Sequence, residues 1–179
     1  MDEIMTITGR LIIRDSPDPN FTSLDMLRRV KSVGAGLDSS RRRRGVDSNY
    51  VIEIDNNTAL ETAELVSLND VGGPMILSGE SLCYVDTVDW EERFSDIQVD
   101  IKVTSPDCAE KTCHEECSGK GCLGPGSDSC VLCANKEFEG RCLPTCLGAS
   151  YDDGTKLCKP CHENCHTCTA GGNQNCLVS

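Results

Sequence analysis

The stretch Cys113 to Cys133, CHEECSGKGCLGPGSDSCVLC, constrains this chain more than any other. It places five cysteines in 21 residues, with Gly124, Pro125 and Gly126 between the third and the fourth. So little apolar material makes no hydrophobic core, and such a segment keeps its shape by crosslinks or by bound metal. Of the chain's 14 cysteines, 13 lie in Cys108–Ser179 and only Cys83 lies before them. Those last 72 residues carry ten large apolar side chains, namely Leu123, Val131, Leu132, Phe138, Leu143, Leu147, Tyr151, Leu157, Leu177 and Val178. Ten cannot offset backbone ordering at about 1–2 kcal/mol per residue. Six or more disulfides at about 2–4 kcal/mol each are of the right size.

Two regions of different physics therefore meet near residue 107. Disulfides at this density point to an oxidising, extracellular setting, and the Asn-x-Thr sequons at Asn20 and Asn56 agree with it. A formal charge of −12 argues against a nucleic-acid partner. No run of about 18 apolar residues exists, so this stretch is not expected to enter a membrane. The start MDEIMTITGR lacks the pattern of a signal peptide. An extracellular composition without signal or anchor is expected of a piece of a longer protein.

Residues 1–107 repeat a simple unit. Short apolar-alternating runs occur at Arg10–Arg14, Tyr50–Ile54, Pro74–Leu77 and Val99–Val103, with leucine-containing segments between them at Leu24–Val33, Leu60–Val71 and Leu82–Trp90. Val51 to Met75 is 24 residues and Met75 to Ile101 is 26. One strand plus one return segment per repeat predicts a solenoid whose turns stack on their neighbours, the alternative being an unrelated mixed α/β domain. The run Arg41–Arg44 in the first return reads as a solvated surface loop, or more sharply as a proprotein-convertase cleavage site.

The cysteine region repeats too. Cys113, Cys117, Cys122 and Cys130 have counterparts at Cys161, Cys165, Cys168 and Cys176, with the last interval eight residues in both copies, and Ser179 stands where a fifth counterpart of Cys133 would fall. The second module is accordingly expected to be truncated. Three Cys-x2-Cys pairs with His114, His162 and His166 are candidate zinc ligands, but 14 cysteines with sequons fit seven disulfides better. The run from Cys158 to His162 matches a c-type haem attachment pattern without the apolar pocket a haem needs. The glycines Gly119, Gly121 and Gly124 match a dinucleotide fingerprint with no strand before it, and read as turn glycines. No nucleophile–base pairing or kinase motif is present. The expectation is a chain that is not an enzyme, with no cofactor and no metal.

The segment Gly79 to Cys146, through SLCYVDTVDW, CHEECSGKGCLGPGSDSCVLC and GRCLPTC, resembles the epidermal growth factor receptor family. ITGRLII at Ile7–Ile13 and the strand at Met75–Ser78 extend the similarity over nearly the whole chain. The resemblance implies a mainly β chain. Residues 1–107 would be the C-terminal part of a receptor L domain, a partial right-handed β-helix or solenoid. Residues 108–179 would be a furin-like cysteine-rich region, one complete EGF-like disulfide module and one truncated, with little regular structure. It also implies the pairs Cys83–Cys108, Cys113–Cys122, Cys117–Cys130, Cys133–Cys142, Cys146–Cys158, Cys161–Cys168 and Cys165–Cys176. Where the family has Trp after the third module cysteine, this chain has Leu123, which implies a smaller plug and a looser hinge.

Carried over by position, the family's ligand contacts fall on Ile12, Arg14, Tyr50, Asp55, Ile76, Ser78, Lys102 and Thr104, which on their own read equally as ordinary sheet residues. The implied partners are an EGF-like protein ligand and, in the full-length parent, a second receptor. The parent would be a transmembrane receptor tyrosine kinase, with this segment on the extracellular side of the plasma membrane and the cytoplasmic kinase absent from this chain. The other reading is a secreted growth-factor-binding decoy without signalling. If all 14 cysteines are paired, alkylation without reductant labels none of them. Stoichiometric zinc, released together with free thiols by a chelator, is the contrary result.

Overall fold

The computed structural model describes residues 5–37 and 49–178; Arg41–Arg44 lie outside the described residues. The first part contains β1 (Met5–Ile7), β2 (Leu11–Arg14), β3 (Val30–Val33), β4 (Ile52–Asp55), β5 (Asp70–Val71), β6 (Met75–Gly79), a one-turn helix α1 (Trp90–Arg93) and β7 (Val99–Val103). Two parallel sheets result, ordered β2-β4-β6-β7 and β1-β3-β5. All four strands read from apolar alternation are present, displaced by two residues or fewer. Register places Leu11 beside Ile52, Ile52 beside Met75 and Met75 beside Val99, so each strand lies one repeat after its neighbour.

The return segments are not plain connectors, because β3 lies inside LDMLRRVKSV and β5 ends LETAELVSLNDV. The repeats that begin with β2 and β4 therefore contribute a strand to both sheets, the repeat that begins with β6 does not, and the two ladders do not join into a closed solenoid. The core forms between them from Leu24, Val30, Val33, Ile52, Ile54, Met75 and Leu77, all without exposed surface. Turn is tied to turn by Asn57, whose Nδ2 donates to the Ile13 carbonyl (3.0 Å) and whose Oδ1 accepts from the Ser16 amide (3.1 Å).

After β7 regular structure shrinks to three antiparallel hairpins, β8 (Lys136–Phe138) with β9 (Arg141–Leu143), β10 (Ser150–Asp152) with β11 (Cys158–Pro160), and β12 (Thr167–Cys168) with β13 (Cys176–Val178). Seven disulfides hold them: Cys83–Cys108, Cys113–Cys122, Cys117–Cys130, Cys133–Cys142, Cys146–Cys158, Cys161–Cys168 and Cys165–Cys176. No cysteine is free. Except for Cys83–Cys108, which spans 25 residues, every link closes a loop of 7 to 13.

The two parts meet along a packed seam. Leu123 has no exposed surface and belongs to the same apolar cluster as Val85, Val88 and Trp90. Smaller than tryptophan, it is nevertheless completely covered. Beside it the Thr87 hydroxyl accepts from the Cys122 amide at 3.0 Å. Gly121, at φ +91°, comes so close that a Cβ there would lie 2.3 Å from the Thr87 carbonyl oxygen. Leu123→Ala is expected to cost about 2–5 kcal/mol. Gly121→Ala forces backbone apart at the same place and should be at least as damaging. Urea denaturation of the disulfide-intact chain measures both.

Candidate functional site

The β2-β4-β6-β7 sheet has one face on the core and one turned outward, because side chains alternate across a strand. Ile52, Ile54, Met75 and Leu77 point in. Register then aligns the outward positions in two rows. Ile12, Glu53, Ile76 and Asp100 form one row; Arg14 beside Asp55, and Ser78 beside Lys102, form the next. Six of the eight positions expected from the resemblance, Ile12, Arg14, Asp55, Ile76, Ser78 and Lys102, thus lie on one face. Thr104 is exposed just beyond β7. Tyr50 precedes β4, outside its alternation, yet reaches the same face because its hydroxyl donates to the Asp100 carboxylate.

The apolar character of this face differs from expectation. Ile76 is only 7% exposed, whereas Ile12 is 43% exposed. Three residues that the sequence reading missed organise the surface. Glu53 is 6% exposed, yet its carboxylate lies 3.2 Å from Arg14 Nη1 and 3.7 Å from Arg10 Nη2. Arg10 Nε also donates to the Tyr50 carbonyl at 2.6 Å. Asp100 accepts from Tyr50 and from Gln98 Nε2 (3.0 Å). The Tyr50 hydrogen bond, with help from Gln98, holds the Asp100 carboxyl below the usual range, and the same bond raises the Tyr50 phenol. The signal was available: the alternation that selects Asp55 and Lys102 selects Glu53 and Asp100 two residues earlier.

Both sequon asparagines are exposed. The Asn20 side-chain amide donates to Asp18 (3.2 Å) and that of Asn56 to Asp15 (2.9 Å).

A second polar cluster lies at the seam. The Arg28 guanidinium contacts Glu64 at 2.9 Å in its own half, and Asp128 at 2.6 Å and the Ser129 hydroxyl at 3.1 Å in the cysteine-rich half. Glu64 is 2% exposed. Burial pushes its carboxyl up, beyond the opposing pull of Arg28. Burial also works against the Asp128 charge, but hydrogen bonding and attraction from Arg28 overcome it and hold that carboxyl below the ordinary range.

Comparison with known proteins places this architecture. The Receptor L domain model matches residues 1–94, and the Growth factor receptor domain IV model matches residues 112–179. These two domains in this order define a growth factor receptor. The chain is 27% identical over 175 residues to the Epidermal growth factor receptor of Drosophila melanogaster, covering 92% of this chain and 12% of that protein. It is 31% identical over 190 residues to the Melanoma receptor tyrosine-protein kinase of Xiphophorus maculatus, covering 98% of this chain and 15% of that protein. Furin-like protease 2 of Drosophila melanogaster is 35% identical over 67 residues, 37% of this chain and 4% of that protein, so cysteine-rich sequence of this kind also occurs outside receptors. The chain belongs to the epidermal growth factor receptor family. It spans only 12–15% of the length of the two receptors. The matched regions hold a receptor L domain and domain IV, and no kinase domain.

Arg28→Ala leaves Glu64 buried without its cation, and is expected to cost about 3–5 kcal/mol at neutral pH. The sign with pH follows from the two directions. Asp128 stabilises above its unfolded value, and that contribution is lost as pH falls through its lowered folded value. Glu64 favours its protonated form in the folded chain, so its contribution is present at acid pH and declines as pH rises through its raised folded value. The Arg28→Ala penalty should therefore shrink on mild acidification, as Glu64 takes up a proton. Thermal melts of native and variant chains at about pH 5 and about pH 7.5 check this.

Proposed function

We propose that the outward face of the β2-β4-β6-β7 sheet binds an EGF-like protein ligand on the extracellular side of the plasma membrane. In this reading the cysteine-rich half is the stalk that joins the ligand-binding domain to a dimerising receptor with a cytoplasmic kinase. One observation carries the proposal: a sheet covered by core on one face presents, on the other, two registered rows of mixed apolar and charged side chains. Ile12 is the exposed apolar member, on edge strand β2 beside Glu53, with Arg14, Asp55 and Lys102 in the next row. Such a mixture of apolar and charged side chains on one ordered face suits a protein interface.

Tyr50 is the anchor in this reading, since aromatic side chains dominate interface energetics. Its clasp on Asp100 fixes the ring before a ligand arrives, which lowers the ordering cost of binding. Asn20 and Asn56 are proposed glycan acceptors. We place the domain boundary between residues 107 and 108, with β7 and Cys83 on the L-domain side; residues 95–111 fall between the two family matches.

In the full-length receptor, Tyr50→Ala is expected to weaken binding of an EGF-like growth factor at least about tenfold, with secretion unchanged. Tyr50→Phe keeps the ring and removes only the hydroxyl held by Asp100, so it should retain more affinity. Unchanged affinity in the double variant Tyr50→Ala and Ile76→Ala rejects this face as the binding site.

A further inference from the structure

Ile76 is buried on the outward side of its strand. Its neighbours Met75 and Leu77 belong to the core cluster and Ile76 does not, as alternation along β6 requires. Ile12, in the same row on β2, is 43% exposed, whereas Ile76 is 7% exposed. Register puts Glu53 and Asp100 at its two sides. Side chains level with Ile76 shield its flanks, and a further group must lie above it.

The order of the strands supplies that group. Tyr50 leads into β4, and its hydroxyl donates to the Asp100 carboxylate on β7. Between those two strands runs β6, with neighbouring strands about 4.8 Å apart. A side chain rooted beside β4 and bonded at β7 must cross β6, and Asp100 is the residue paired with Ile76 itself. Charge agrees with this path. The phenol is raised first by its bond to Asp100 and further by the charges of Asp100, Glu53 and Asp55, so carboxylates on both flanking strands act on it. The backbone end is held too, since Arg10 Nε donates to the Tyr50 carbonyl at 2.6 Å.

We propose that Tyr50 is a latched cover over Ile76, with its bond to Asp100 as the latch that keeps this apolar side chain from water. A hydrogen bond to a carboxylate is strong for its kind, yet the ring depends on it at a face where water competes. Closed, the cover removes apolar surface that would invite adhesion. Open, it offers Ile76 to a partner. The cover deepens the reading of this face as a ligand surface, and rests on that reading only for what opens it.

Hydroxyl-radical footprinting of the disulfide-intact chain, read residue by residue by mass spectrometry, tests the cover with no ligand present. Its failure is therefore seen separately from failure of the ligand reading. Ile76 and Ile12 are the same residue type, so their rates compare directly. In native chain Ile76 should be oxidised at least about threefold more slowly than Ile12, as their 7% and 43% exposure imply. Tyr50→Phe keeps the ring and removes the latch, and should raise Ile76 oxidation at least about twofold. Tyr50→Ala removes the cover and should bring Ile76 to the level of Ile12. Met75 and Leu77, both without exposed surface, should stay protected in both variants, which with resistance to alkylation verifies the fold. Native Ile76 oxidised as fast as Ile12, Ile76 unchanged in Tyr50→Phe, or Ile76 still protected in Tyr50→Ala overturns the proposal.

Discussion

Burial of Leu123 at the end of the L domain's core couples two halves that hold their shape by different means. One half excludes water from stacked parallel strands; the other, with almost no core, is held by short covalent loops. Of the disulfides only Cys83–Cys108 crosses the boundary, and that link closes the last repeat instead of reaching a hairpin. The relative placement of the halves rests on contacts across the seam, among them the apolar plug, the Gly121 approach, the Thr87–Cys122 hydrogen bond, the Lys120–Glu92 ion pair and the Arg28 cluster. Of these the plug is the foundation. Arg28 grips both sides while it remains partly open to solvent, and its contacts to Glu64 and Asp128 outweigh the cost of its burial.

The outward sheet face follows the same rule, that a charge on a packed surface must be answered. Glu53, between two isoleucines in the central strands, would be costly to bury alone. Arg10 and Arg14 answer it from the neighbouring strand and turn, fixing their own guanidinium groups in doing so. A surface arranged in this way is rigid before any partner arrives. Asp100, held by Tyr50 and Gln98, extends that rigidity to the other edge of the sheet.

Much of the architecture was legible in the sequence. Period-two alternation located β2, β4, β6 and β7 because their inward residues are uninterrupted Leu, Ile, Met and Val. The second sheet was hidden, since VKSV sits inside a leucine-rich segment and β5 is only two residues long. Neither is long enough to show a period. The outward positions were half legible: Arg14, Asp55 and Lys102 came by position from the family resemblance, with which alternation is partly consistent. Glu53 was passed over although it obeys the same alternation, because a charged residue in a buried strand has no apparent partner until register brings Arg10 and Arg14 beside it. The Arg28 cluster was not legible at all, as its members are 36 and 100 residues apart in sequence.

The short spans of the cysteine-rich disulfides bear on how this part responds to tension. Six links enclose loops of 7 to 13 residues and follow one another along the chain from Cys113 to Cys176. A pull on the two ends loads the covalent bridges, so most of the contour length inside the loops is never released. Only the connectors between bridges yield, and these are a few residues each. Such a segment transmits a displacement applied at one end almost undiminished to the other, as a chain of stiff short links does and an ordinary folded domain of the same mass, which gives way by unravelling, does not.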